Sequence, residues 1–229
     1  MKKALVLFSG GVDSTTALAL AIEKYGKDNV IALSVVYGQK HDKEFECSCK
    51  IAKYYSVEHI YLDLSKIFEY SDCTLLKHSS KEVPHEAYEE QIKETNGKPV
   101  STYVPFRNGL FLSSAASIAI SKECEVIYYG AHRDDACGNA YPDCSEAFTK
   151  AINEAIYLGS GNQVKVYGPF VGMSKKDIVA IGLKLNVPYE LTWSCYEGHE
   201  KACGKCGTCI DRKKAFEANG VKDPIEYEE

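Results

Sequence analysis

The stretch LVLFSGGVDSTTALAL, from Leu5 to Leu20, constrains the fold more than any other part of the chain. An apolar, strand-like run, Ala4–Phe8, breaks into Ser9-Gly10-Gly11, and helical spacing starts almost at once. Leu18, Ala21, Ile22 and Tyr25 share one face of a helix predicted over Thr15–Tyr25, with Gly26 as its stop. Val30–Tyr37 then runs nearly unbroken in apolar residues, as expected of a strand buried on both faces of a parallel sheet.

The alternation continues. A helix is expected near Lys43–Tyr55, a strand at His59–Leu64, a small-residue helix at Asn108–Ile120 and a strand at Glu125–Gly130. Ser145–Leu158 has helical periodicity with Ser145 as N-cap, Val164–Tyr167 reads as strand, and Ser174-x-x-Asp177 opens a helix to Asn186 with a capping-box pattern. The polar stretch 68–105, with Pro84, Gly97 and Pro99, reads as an insertion over a site, partly helical at Ala87–Thr95. Together these elements predict an α/β fold, a doubly wound and mostly parallel sheet that gathers ligands at its strand carboxyl ends. Residues 1–190 would form that domain. After Trp193 the composition shifts to cysteine and glycine, so 191–229 reads as a small appended module and tail.

Charge and hydropathy narrow the function. Thirty-two acidic residues against 27 basic give a net charge of -5, and no lysine–arginine run offers a nucleic-acid footprint. Apolar runs fall far short of the roughly 18 residues a bilayer span needs, and the start is too short for a signal-peptide core. No nucleic-acid or membrane partner is expected, and the location expected is cytoplasmic. In a reducing compartment the 10 cysteines would not form a disulfide framework. Four of them fall in the spacing C-x7-C-x2-C-x2-C, at Cys195, Cys203, Cys206 and Cys209. Four thiolates in one glycine-rich segment match a closed structural zinc site, with an iron–sulfur cluster, a redox pair or free thiols as the alternatives. The remaining six cysteines lack ligand spacing.

Gly10 and Gly11 let backbone approach a ligand ahead of a helix N-terminus, and Ser9, Ser14 and Thr15 add hydroxyls. The alternative is a plain strand–helix turn capped by Asp13 and Ser14. The full string Phe8-Ser9-Gly10-Gly11-Val12-Asp13-Ser14 resembles the S-G-G-x-D-S loop of the PP-loop superfamily, the N-type ATP pyrophosphatases, whose fold is adenine nucleotide alpha hydrolase-like. That resemblance implies that Phe8–Thr15 holds the pyrophosphate of ATP while a substrate oxygen attacks the α-phosphorus. The loop lacks the lysine of phosphoryl-transfer loops, in keeping with pyrophosphate being the leaving group. Gly130-Ala131-His132-Arg133-Asp134-Asp135 resembles the superfamily's G-x-H/N-x-D-D segment, which implies His132 at the nucleotide and carboxylates, Asp134 and Asp135, able to hold magnesium, while Asp13 would orient magnesium or cap the helix. Lys175 and Lys176 sit in a helix's first turn, where the dipole disfavours cations. The resemblance selects Lys175 as the phosphate contact.

Further strings occur in order: Tyr37-Gly38-Gln39-Lys40-His41, Val104-Pro105-Phe106-Arg107-Asn108, Tyr141-Pro142-Asp143-Cys144 and Thr192-Trp193-Ser194-Cys195-Tyr196. With the zinc-type cysteines they resemble the 7-cyano-7-deazaguanine synthase family of the queuosine pathway over essentially the whole chain. The resemblance implies a ligase using ATP, magnesium and ammonia on 7-carboxy-7-deazaguanine, with structural zinc and a homodimeric assembly. The carboxylate would be adenylated and aminated to the amide, and the amide adenylated again and dehydrated to the nitrile. Arg107 would face the carboxylate, Asp143 the purine-like edge, and Tyr141 would stack. The alternatives for these three are an ion pair, a turn residue and a core aromatic. His41 and Glu44 are candidates for proton transfer or wall contacts, and a Cys144 nucleophile finds no base nearby in sequence. Two departures stand out: Phe106 replaces the glycine of V-P-G-R-N, and Cys137-Gly138-Asn139-Ala140 replaces the residues usual before Y-P-D-C. A chain of this length leaves no room for a glutaminase domain, so ammonia is expected from solution or a partner. Two other readings compete with the ligase reading, a PP-loop tRNA-modifying enzyme and a non-catalytic ATP-binding zinc protein.

Overall fold

Five short strands pair in parallel, in the order β3-β2-β1-β4-β5, in a computed structural model that describes residues 2–228. They are β1 (Lys3–Leu7), β2 (Val30–Val36), β3 (Glu58–Asp63), β4 (Cys124–Tyr128) and β5 (Lys165–Tyr167). The sequence-predicted strands recur within a few residues of these bounds. β1 is central and unexposed, with Ala4, Leu5 and Val6 at 0%. Its alternate side chains face two cores, as strand geometry dictates. Leu5 and Leu7 join Ile31, Leu33 and Ile127 beneath α4 (Arg107–Ser121) and α6 (Glu146–Gly159), with the one-turn α5 (Arg133–Ala136) between them in the chain. Ala4 and Val6 join Val30, Ala32 and Val126 beneath α1 (Val12–Tyr25), α2 (Lys43–Tyr55) and α7 (Lys175–Lys184). Helices therefore cover both faces, and the doubly wound reading holds. The Ser145 cap and the Ser174/Asp177 capping box are both formed.

The 68–105 stretch is mostly turns, with one helix, α3 (Tyr88–Thr95), where a helical part was expected. It is held down by apolar anchors: Leu75, Leu76, Val83, Tyr88 and Val100 are all buried. After Cys206 comes a helix that periodicity did not reveal, α8 (Gly207–Glu217). Its sequence, GTCIDRKKAFE, carries too few apolar residues for a readable stripe. What it buries is Cys209, Ala215, Phe216 and an arginine. Ala215 and Phe216 pack with Val12, Val179 and Tyr189, so the cysteine-rich segment shares a core with the α/β sheet.

The arginine is Arg212, at 0% exposure. Its guanidinium grips Asp223 with two donors (2.7 and 3.0 Å) and also donates to Thr192 Oγ1 (2.8 Å) and the Tyr189 carbonyl (3.1 Å). A buried pair so fully hydrogen-bonded is costly to break from one side, because the surviving charge is stranded. Arg212→Leu is expected to destabilise the chain by about 3–5 kcal/mol. Urea unfolding would measure it, and a loss under ~1 kcal/mol would show that the pair holds nothing.

Phe106 occupies the αL region (φ 54°, ψ 29°) at the N-cap of α4. For an aromatic side chain this conformation is strained, which explains why glycine suits the position. Here the ring is retained against Phe148 (centroids 5.9 Å apart) and over Gly109.

Candidate functional site

The strand order reverses between β1 and β4, whose following connections go to opposite faces of the sheet. A crevice must open there at the carboxyl ends. A cavity of about 230 Å³ occupies that position, walled by the Leu7–Ser14 loop, the Tyr129–Ala131 turn, Glu44, Arg107, Lys175 and the Trp193–Tyr196 segment.

The glycine loop is shaped by local chemistry. Gly10 has φ +86°, and a Cβ there would lie 2.7 Å from both the Glu44 carbonyl oxygen and the Ser48 nitrogen. Only glycine fits. Ser9 and Ser14 tie the loop across its mouth: the Ser9 N–H donates to Ser14 Oγ (3.2 Å) and the hydroxyls lie 3.1 Å apart. Thr15 Oγ1 donates back to the Gly11 carbonyl (2.7 Å). Gly11 is the N-cap and no side chain caps α1, which leaves the first N–H groups of the helix open to an anion. Asp13 and Ser14, the caps of the alternative plain-turn reading, do not cap the helix.

Asp13 instead pairs with Lys175 Nζ, which projects from the first turn of α7. Burial works against the lysine's charge, but Asp13 and Asp135 outweigh it and its pKa is raised. The other Asp13 oxygen, Oδ1, is buried with no partner. His132 Nε2 lies 3.4 Å from Asp135 and 3.8 Å from Asp13, and Asp134 accepts the Lys175 backbone N–H (2.8 Å). The motif after β4 thus locks α7, and with it Lys175, against the glycine loop. A fourth carboxylate, Asp211 of α8, joins this cluster, and burial raises its pKa to about 6 while Lys175 pulls it down.

Arg107 lies in another part of the same wall. It is stacked over the Tyr37 ring (5.2 Å) and donates to the Tyr37 hydroxyl (3.3 Å). A guanidinium carries five donors; among the described residues no carboxylate forms an ion pair with this one. Burial opposes its charge, yet Tyr37 and Asp143 keep it protonated and raise its pKa. An enclosed cation with free donors is a receptor for an anionic group.

Asp143 does not face the cavity. It is 3% exposed, and its Oδ2 accepts the Asn108 backbone N–H (2.8 Å), which fixes the start of α4 and so the root of Arg107. Its placement is that of a positioning residue. Tyr141 is likewise buried, its hydroxyl bound by Thr102 (2.6 Å) and lying near those of Tyr88 (3.2 Å) and Tyr196 (3.3 Å). Of this tyrosine group only Tyr196 reaches the wall. The Cys144 thiol lines the cavity, but burial pushes its pKa well above the ordinary range, so it stays protonated. His41 lies outside the wall, packed against Gly198.

Several site residues were missed because they act through space. Ser34 reaches the wall from β2 and donates to the Phe8 carbonyl (2.6 Å), while His59 Nε2 holds the Ser34 hydroxyl (2.8 Å). Burial lowers the His59 pKa to about 4, so the ring is neutral near pH 7. The apolar run Val30–Tyr37 and the strand pattern of His59–Leu64 located both residues on strands, but their pairing depends on the β2–β3 register.

The four sulfurs of Cys195, Cys203, Cys206 and Cys209 lie within 4.8 Å of one another, and all four residues are buried. A tetrahedral Zn–S bond of about 2.3 Å would place sulfurs about 3.8 Å apart, so the cage fits such an ion after a small contraction. Backbone N–H groups of Cys203 and Cys206 point at the sulfurs of Cys195 (3.3 Å) and Cys203 (3.4 Å). Hydrogen bonds from Cys195 and Cys209 hold the Cys206 thiol far below its ordinary pKa. A metal there would build structure, since all four positions are taken by protein.

The family model described as "Queuosine biosynthesis protein QueC" matches residues 3–220. A 7-cyano-7-deazaguanine synthase of Archaeoglobus fulgidus is 45% identical over 224 residues, 97% of this chain and 89% of the relative. One from Caldicellulosiruptor saccharolyticus is 44% identical over 99% of this chain and 96% of its own. Among solved structures, the U34-tRNA thiolase NcsA from Methanococcus maripaludis, with its [4Fe-4S] cluster, superposes with a TM-score of 0.52 at 17% identity. That alignment covers 95% of this chain and 67% of the thiolase, a likeness of fold.

Proposed function

The chain belongs to the QueC family of queuosine biosynthesis proteins, and from that premise we propose that it is an ATP-dependent ligase converting 7-carboxy-7-deazaguanine and ammonia to 7-cyano-7-deazaguanine. One observation carries this reading. A single cavity is walled by a glycine loop with open helix N–H groups beside Lys175, and by Arg107 with unpaired donors. Those are receptors for two anions, a polyphosphate and a carboxylate.

In this reading the loop Phe8–Thr15 holds the pyrophosphate end of ATP and Lys175 leaves Asp13 to meet it. Arg107 orients the carboxylate so that its oxygen attacks the α-phosphorus in line, and positioning of this kind accounts for much of the rate. Lys175 then faces the charge growing on pyrophosphate. Ammonia replaces AMP to give the amide, and a second adenylation followed by loss of AMP gives the nitrile. Asp13 and Asp135 are the residues that would hold magnesium. The unpartnered Asp13 Oδ1 fits that role, and magnesium commonly takes only one or two carboxylates besides phosphate oxygens. When bound it would offset charge on the phosphates. Tyr196 and Trp193 would form the apolar wall for the base. The four cysteines would hold zinc as a structural ion.

Incubation with ATP, magnesium, ammonium and 7-carboxy-7-deazaguanine, followed by mass analysis, tests the assignment. The nitrile is expected, with one AMP released for each adenylation. If neither nitrile nor AMP forms, the assignment is wrong.

A further inference from the structure

Glu44 stands apart from the other carboxylates around the cavity. It sits in the first turn of α2 and lines the wall together with Arg107 and Tyr37. Its own backbone is fixed against the glycine loop, where its carbonyl meets Gly10. The side chain is otherwise unengaged: among the described residues its carboxylate has no hydrogen-bond or ion-pair partner. Of the other carboxylates that line the cavity, Asp13 pairs with Lys175 through Oδ2 and Asp135 lies 3.4 Å from His132 Nε2. Glu44 therefore points free chemistry at the place where Arg107 would hold a carboxylate.

We propose that Glu44 is the general base of the amination and dehydration steps, a role that rests on the ligase reading above. In amination the C–N bond forms at the acyl carbon, the C–O bond to AMP breaks with its electron pair leaving on AMP, and one N–H proton passes to the Glu44 carboxylate. In the second half, the amide oxygen attacks the α-phosphorus of another ATP and pyrophosphate departs. The nitrogen then gives up two protons in turn as the C–O bond to AMP breaks and the C≡N bond closes. Glu44 takes each proton and releases it to solvent before the next.

The surroundings suit the task. Burial raises the Glu44 pKa to about 7, and Arg107 limits the rise. A base with a pKa near the working pH combines adequate basicity with a useful ionised fraction. The other titratable groups facing it are Tyr37 and Cys47, both pushed above their ordinary values by burial and hence protonated. Lys43, one residue away, is drawn over the Trp193 ring (5.6 Å). Neither Tyr37 nor Cys47 competes for the proton.

The test compares Glu44→Gln and Glu44→Asp with the unaltered protein in two assays. One follows substrate-dependent exchange of labelled pyrophosphate into ATP, which reports adenylation alone. The other follows amide and nitrile formation per free ammonia across pH 5.5–8.5. Glu44→Gln is expected to slow amide and nitrile formation by about 10²-fold or more, with exchange reduced less than ~10-fold. It should also abolish the acidic limb near pH 7, because below that pH the wild-type base is protonated. Glu44→Asp keeps a carboxylate and should restore part of the rate. Equal loss of exchange and amination would overturn the proposal by making Glu44 a binding residue, and an unchanged amination rate would overturn it directly. If the unaltered protein shows no substrate-dependent exchange, the ligase reading itself fails and this role with it. Gln matches Glu in shape and removes a buried charge, so a melting temperature at pH 8 no lower than wild type is the control for folding.

Discussion

Lys175→Met is expected to reduce substrate-dependent AMP formation by about 10²- to 10³-fold, the usual cost of losing one preorganised donor to a developing charge. Lys175 Nζ is enclosed between Asp13 and the glycine loop, and α7 is held by Asp134 and its own capping box. The chain keeps a cation at a helix N-terminus, against the dipole, and compensates it with a carboxylate. An anionic ligand replaces that carboxylate without moving the backbone. Because negative charge on pyrophosphate grows towards the transition state, kcat should fall more than the KM for ATP rises. Met retains the length of the side chain, and circular dichroism would confirm the fold. Activity within about fivefold of wild type would remove Lys175 from the mechanism.

Chelation should have the largest effect on stability. Structural zinc in small cysteine sites contributes roughly 10–16 kcal/mol of apparent folding free energy. The segment 195–209 packs against Phe68, Leu76 and Val104 largely through the four cysteines themselves and Ala202, so the ion holds the inner side of that contact together, while α8 keeps Ala215 and Phe216 in a separate cluster. Elemental analysis is expected to find one zinc per chain. Stripping it with a strong chelator should lower the melting temperature by more than ~10 °C and expose the Cys195–Cys209 segment to protease. Trp193, Ser194, Tyr196 and Thr208 lie beside or between the ligands and also line the cavity, so loss of the ion should weaken binding of the small-molecule substrate in parallel. Iron with acid-labile sulfide in place of zinc would overturn the zinc assignment. A protein whose melting is indifferent to chelation would overturn the structural role.

Much of the fold could be read locally. The strand runs, the Ser145 cap and the Ser174/Asp177 box are decided by residues within a few positions of one another, and they recur where expected. The cysteine spacing likewise held, because three of the four ligands fall within seven residues. Helix α8 was invisible for the opposite reason. Its main buried group is Arg212, a charge that only Asp223, Thr192 and Tyr189 make tolerable inside the protein.

The site divides in the same way. Ser9–Thr15 and Lys175 announced themselves by residue type and by position at helix starts. Asp143 and Tyr141 stand in an informative motif, yet their side chains are spent on Asn108 and Thr102. A motif marks a location without saying which of its side chains faces the ligand.

By itself the sequence determined a doubly wound sheet, a glycine loop at the first strand–helix turn and a four-cysteine cage, since periodicity, turn chemistry and ligand spacing are local. Only the tertiary structure decided that Glu44 faces the cavity beside Arg107 and that Asp211 joins Lys175. Those juxtapositions come from packing between distant helices. Burial then sets the ionisation of each group, and burial is a property of the folded chain.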